Sequence, residues 1–280
     1  MTLAPTRPDA FTPADQAGVA APSVSAVLLS RRDPRGMGEL LEAVLGQALP
    51  PDEVLVLDRT DAAPTPRVPA SGEAGTPDTA DAGRDEVVEP APEIDLAAIV
   101  EAVASTRGIP VTVRSIDPRT PVRVAIRDAV REREPAPELP GEPLVWILPV
   151  GAVPEKQALV RLVDEWRRSP SAGLIGPKHV DAGNPLMLRA LSIGTTRGGR
   201  LSSRPRPGEP DQGQYDQSTD VLAVPLAGSL IERSLLLQLR GWEPFFGDVG
   251  ADLDLGWRAH IAGRRVVVVP SARVRTERGV

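Results

Sequence analysis

Three aspartates, Asp248, Asp252 and Asp254, fall within the stretch FFGDVGADLDLGWRAHIAGRRVVVVP, residues 245–270. They cluster where an acidic loop should turn into a helix running to about His260. Gly263 can supply a left-handed stop to that helix. Carboxylates suit a helix start, because the peptide dipoles and free N–H groups leave that end partly positive. Val266 to Val269 is a β-branched apolar run, as in a strand covered on both faces. An acid at a helix start beside the end of a buried sheet can act as a general base. The simpler account is that these acids only cap the helix, and residue chemistry alone leaves both readings open.

The elements that would position such a site follow from periodicity. VSAVLLS (24–30) reads as a buried strand, and Gly38 to Ala48 as a helix with Leu40, Leu41, Val44 and Leu45 at helical spacing. VLVLD (54–58) reads as a second buried strand ending on an acid. Strand, helix, strand within about 35 residues predicts a right-handed βαβ unit in a parallel sheet. A helix over 94–106, a strand over 109–114, a helix over 120–133 and the strand LVWIL (144–148) complete a nucleotide-binding style of half-domain. Ligands of such open sheets bind at the carboxyl ends of the strands, near Ser30, Asp58, Asp117 and Pro149 to Gly151.

The second half is expected to hold a helix over 155–168, a strand carrying Lys178 and a half-exposed His179, and a strand over 191–196. A loop over 197–213 should follow, with Arg200, Arg204 and Arg206 solvated or meeting a phosphate. Two short strands are expected over 220–225 and 227–231, with Gly228 and Ser229 leaving backbone open to a ligand. A short helix should run over 234–239. Trp242 either covers an acceptor pocket or belongs to the core. Residues 1–22 and the Ala/Pro/Asp-rich stretch 59–92 read as disordered.

Composition narrows the function classes. The 280 residues are 41% hydrophobic and 25% charged, which supports a packed core. Net charge is −6, which argues against a general nucleic-acid binder. With no cysteine and only two histidines, thiolate and zinc sites are not expected, and a hard cation on carboxylates remains the chemical alternative. No apolar run reaches the length of a membrane span, and no secretory signal is expected. No nucleic-acid partner and no membrane insertion are therefore expected.

These residues resemble the inverting family 2 glycosyltransferases of the GT-A fold over roughly 24–276. The carriers are VSAVLLS, VLVLD, LVWIL followed by AVP, GLIGPKHVD, AGSLIERSLL, GW and above all ADLDLGWRAHIAGRRVVVVPSARV. The loop GEPDQGQYD and the C-terminal motif are similar to a group of actinobacterial glycosyltransferases. The resemblance implies an α/β fold with a Rossmann-like, mostly parallel central sheet flanked by helices and a smaller mixed acceptor-side sheet. It implies one domain over 23–276, with a nucleotide-sugar half (23–150) and an acceptor half (151–276). Asp252 matches the catalytic base, and Asp254 and Arg258 match the rest of that motif. Ser30, Asp58 and Asp117 fall on the donor side, Trp242 and Asp248 on the acceptor side. The implied partners are a UDP- or GDP-linked sugar and a saccharide or lipid-linked acceptor. The implied place is the cytoplasm, at the inner face of the cell membrane as part of a larger protein.

The sequence departs from the family pattern where it would bind a metal. Mg or Mn is expected for the family, yet Pro149-Val150-Gly151 stands where an acidic group follows the fourth strand. Ala251 replaces the first acid of the acidic pair, and Arg273 to Thr276 contains no histidine. No metal ligand is therefore assigned, and Arg275 or the 197–206 arginines are the expected counter-charges to a diphosphate. Two further readings stand beside transfer: a catalytically degenerate binding or scaffolding domain, and a nucleotidyltransferase-like protein. The second is disfavoured because SRRDPRGMG lacks the spacing of a phosphate-binding glycine loop.

Overall fold

The structure, a computed structural model, describes residues 22–30, 36–59, 96–104, 108–117, 119–133, 142–206, 208–217, 220–243, 245–246 and 248–277. The segments read as disordered, 1–22 and 59–92, lie outside the described residues apart from Pro22 and Arg59.

The first half alternates as the periodicity predicts: β1 (Val24–Leu29), α1 (Met37–Leu45), β2 (Glu53–Asp58), α2 (Leu96–Ala104), β3 (Val111–Ser115), α3 (Val122–Glu132) and β4 (Leu144–Pro149). The second half comprises β5 (Ala152–Pro154), α4 (Ala158–Arg168), β6 (Ala172–Asp181), β7 (Leu188–Ala190), β8 (Ser192–Thr195), β9 (Leu201–Arg204), β10 (Leu230–Glu232), α5 (Arg233–Gln238), α6 (Asp248–Ile261) and β11 (Arg265–Thr276).

Among the described residues nine strands form one sheet in the order β3-β2-β1-β4-β10-β6-β11-β5, with β7 beside β6, while β8 and β9 form a separate antiparallel pair. Strands β3, β2, β1 and β4 are mutually parallel. Strand β10 runs antiparallel between β4 and β6, and β11 returns parallel to β6. The period of two along each strand divides the core. Leu28, Val56 and Trp146 face α1, α2 and α4, whereas Val27, Leu57 and Ile147 face α3, α5 and α6. Both faces of β1, β2 and β4 are covered, so these strands read as mostly apolar runs.

Three expectations are corrected in the second half. The strands expected over 220–225 and 227–231 reduce to isolated bridges, Asp220 to Val267 and Ala223 to Ile193, followed by β10. The loop expected over 197–213 contains β9, whose ladder with β8 joins Leu201 to Thr195. Gly228 does not open the backbone to a ligand. Its φ is +71°, and a Cβ there would lie 2.8 Å from Pro177 Cγ, so glycine serves close packing in a turn.

Candidate functional site

Helix α6 begins at Asp248, which puts Asp252 and Asp254 in its second turn. There they are past the free N–H groups, so the capping reading fails for both. Asp252 is buried on the face that carries Ala251, Leu255 and Ala259 into the core. Its Oδ1 accepts hydrogen bonds from Arg123 Nη2 at 2.9 Å and Nε at 3.2 Å. Its Oδ2 accepts the Leu226 backbone N–H at 3.1 Å. The Arg123 and Asp252 side chains are only 13% and 7% exposed, so this charge pair is nearly desolvated.

Arg123 is the second residue of α3, the helix that follows β3, so the pair sits toward the carboxyl-end side of the sheet. Asp117 sets up that helix. Its Oδ1 accepts the Arg119 N–H at 2.8 Å, and its carbonyl accepts the Thr120 N–H at 2.8 Å. At the neighbouring strand tips Ser30 Oγ donates to Asp58 Oδ1 at 3.2 Å and accepts the Arg59 N–H at 2.8 Å. Ser30, Asp58 and Asp117 therefore share one edge of the sheet, the edge where ligands bind open α/β folds. Nothing in the sequence marks Arg123 beyond its place on the polar side of an amphipathic helix. Only the approach of α3 to α6 brings it to Asp252.

Asp254 and Arg258 are engaged elsewhere. Arg258 Nε donates to Asp254 Oδ2 at 2.8 Å, and its guanidinium donates to the carbonyls of Leu239 (2.6 Å) and Gly241 (2.9 Å). This i,i+4 pair fastens α6 to the end of α5. Trp242 is 2% exposed and packed in the core with Leu236 and Leu255, the second of its two sequence readings. Asp248 opens α6.

At the tip of β4 the chain is apolar and closed. Val150 is buried, its N–H donates to Leu29 O at 2.9 Å, and its side chain lies against Gly36. The first acid beyond, Glu155, pairs with Arg273 at 3.3 Å. Among the described residues no group of three or more His, Asp or Glu converges as a cation would require. The residues present at this tip do not fit a divalent ion. Of the expected counter-charges, Arg275 lies 3.6 Å from Glu39, and Arg200, Arg204 and Arg206 are exposed.

The loop GEPDQGQYD has a structural role. Lys178, buried in β6, donates to Asp211 at 3.0 Å and to Asp216 at 2.6 Å, so the loop neutralises a charge inside the sheet. His179 is also buried rather than half-exposed, because β6 is flanked by β7 and β11 at this point. Burial lowers its pKa to about 4. An unfolded chain protonates this histidine near 6.5, so between pH 6.5 and 4 the unfolded state binds more protons and stability falls with acidification. The expected loss is about 3 kcal/mol by pH 4. His179→Met should flatten that limb, as read from urea midpoints at pH 7 and pH 5. An unchanged pH slope would show that His179 already titrates normally in the fold.

The described cavity of about 160 Å³ is lined by Ser25, Glu53, Pro143 and Arg233, at the amino ends of β1, β2 and β4, away from the Asp252 edge. No described helix is long and apolar enough to cross a membrane.

An open sheet with parallel β3-β2-β1-β4, an antiparallel β10 and an acid-bearing helix leading into the final long strand is the GT-A glycosyltransferase fold. Known structures agree. A crystal structure of GalNAc-T7 with UDP, GalNAc and Mn2+ superimposes with a TM-score of 0.58 at 13% identity, over 93% of this chain and 44% of that one. S. aureus TarS 1-349 superimposes with a TM-score of 0.53 at 12% identity, over 90% of this chain and 59% of that one. The chain thus spans less than two thirds of either relative. No curated protein matches it by sequence. The profile of the family described as "Glycosyltransferase like family 2" matches residues 21–279, and the chain belongs to that family.

Proposed function

We propose that the domain transfers a sugar from a UDP- or GDP-linked donor to a hydroxyl of a saccharide or lipid-linked acceptor. The observation that carries this reading is the Asp252–Arg123 pair, a carboxylate and a guanidinium held together on the ligand-binding edge of a family 2 fold. The donor lies over the tips of β1, β2 and β4, with Ser30 and Asp58 toward the nucleoside. Arg123 exchanges Asp252 for a phosphate oxygen and offsets the charge of the departing nucleoside diphosphate. Asp252, released, accepts the proton of the acceptor hydroxyl. That oxygen bonds to the anomeric carbon, and the old carbon–oxygen bond breaks with its electron pair retained by the diphosphate. Asp254 and Arg258 hold α6 in register.

Because the tip of β4 offers no carboxylate, Mn is expected to leave nucleotide affinity unchanged. Calorimetric titration of UDP and GDP with and without Mn reads this directly. A tenfold or larger gain in affinity with Mn would overturn the arginine-based reading.

A second reading has its own support. Both oxygens of Asp252 are already bonded, to Arg123 and to the Leu226 N–H, which also suits a fold that keeps the pair for stability and serves as a binding module. Screening UDP- and GDP-sugars for release of the nucleoside diphosphate separates the two. Release that depends on Asp252 supports transfer, and nucleotide binding without release supports the module.

A further inference from the structure

We propose that the outward face of α6 is the contact surface of a homodimer, two copies packing their α6 helices antiparallel across a two-fold axis. A surface helix normally turns polar residues to water. Here Val249, Leu253, Trp257 and Ile261 recur every four residues on the side away from the core. Trp257 is 52% and Ile261 74% exposed, and Leu253 is half-buried. Phe245, 87% exposed, continues the row before the helix and meets Phe246 edge-to-face at 5.7 Å.

Three features favour a second copy of this chain as the occupant. The row is an i±4n ridge, and two such ridges interdigitate in the commonest class of helix pair. A two-fold axis requires each copy to offer the same patch. The row meets that demand, since an axis near Leu255 sets Leu253 of one copy beside Trp257 of the other and Val249 toward Ile261. The exposed parts of these side chains amount to roughly 600 Å² per copy, more than isolated surface residues account for. Two copies would then cover roughly 1,200 Å², the lower bound of stable interfaces. Antiparallel packing also opposes the helix dipoles. The acids at the helix start and the net charge of −6 disfavour an anionic lipid surface as the occupant.

Sedimentation equilibrium tests the proposal on the full chain. Wild type should approach twice 29.7 kDa at tens of micromolar. Trp257→Glu should weaken association at least tenfold while leaving circular dichroism and Tm unchanged. The chain has no cysteine, so Leu253→Cys should crosslink through a short bismaleimide, whereas Arg167→Cys on α4 should not. A 29.7 kDa species at 100 µM, a dimer indifferent to Trp257→Glu, or equal crosslinking at both positions would overturn it. So would a monomer that floats with phosphatidylglycerol vesicles in a Trp257-dependent way, which would assign the face to lipid.

Discussion

Asp252→Asn is expected to lower sugar transfer by about 10²- to 10⁴-fold, the range lost with a positioned general base. Asparagine keeps the shape and one carbonyl oxygen for the Leu226 N–H, so the turn before β10 retains its anchor. What disappears is the charge that accepts a proton and faces Arg123. Removing the charge that faces a nearly desolvated guanidinium should also reduce stability, by about 3 kcal/mol. Rates must therefore be compared at temperatures where circular dichroism shows both proteins folded. The readout is release of nucleoside diphosphate from the donor that the wild type uses. Full activity in folded Asp252→Asn would remove Asp252 from the chemistry.

Arg123→Gln is the companion variant. In the transfer reading it lowers kcat, because the departing diphosphate loses the guanidinium that offsets its charge. In the binding-module reading there is no turnover to lose, and the variant only loosens the α3–α6 contact. Asp254→Asn should behave differently from both. Its carboxylate serves Arg258, which ties α6 to the carbonyls of Leu239 and Gly241, so the expected effect falls on stability.

Gly256→Ala is expected to destabilise the fold by roughly 3 kcal/mol, the upper part of the range for overpacked sites. Helix propensity alone predicts the opposite sign, since alanine is favoured over glycine by about 1 kcal/mol in a helix interior. The structure reverses this because a Cβ at Gly256 would lie 2.4 Å from Leu222 O and 2.6 Å from Ala223 Cβ. Those atoms belong to the segment that bridges β8 and β11, so they cannot step aside as the end of a flexible side chain would. The contact also seats the helix so that Asp252 reaches Leu226 N–H, and the variant should weaken that seating. At about 2–4 °C per kcal/mol for a domain of this size, Tm should fall by roughly 6–12 °C. Gly250→Ala provides the contrast on the same helix. Its nearest contact, Phe246 Cβ at 3.3 Å, belongs to an exposed residue that can shift, so stability should hold or rise slightly. Equal Tm values for Gly256→Ala and wild type would show that α6 can move off Leu222.

The sequence was legible wherever burial imposes a period. VSAVLLS, VLVLD and LVWIL are mostly apolar on both alternating sides because β1, β2 and β4 are covered on both faces. The i, i+4 pattern placed α1, α3 and α4 within a few residues, and Gly263, at φ +77°, follows the end of α6 as the stop residue. The 220–231 region misled because a short apolar run looks the same whether it joins a ladder or merely crosses under a helix. His179 misled in the same way. It was expected half-exposed on its strand, and only the neighbours β7 and β11 decided that it is buried.

The local chemistry of this protein, then, was written in the chain: the alternation of strand and helix, the acidic motif of α6, and the apolar turn Pro149-Val150-Gly151 after β4. These depend on residue type and near neighbours, which a linear reading can weigh. The tertiary structure alone decided which charges meet. Arg123 and Asp252 are 129 positions apart, and Lys178 meets Asp211 and Asp216 only because a loop folds back over β6. The reason is physical. Desolvation strengthens a charge pair and raises the cost of leaving either member alone, so partners are chosen by the packing of elements and not by their spacing in sequence.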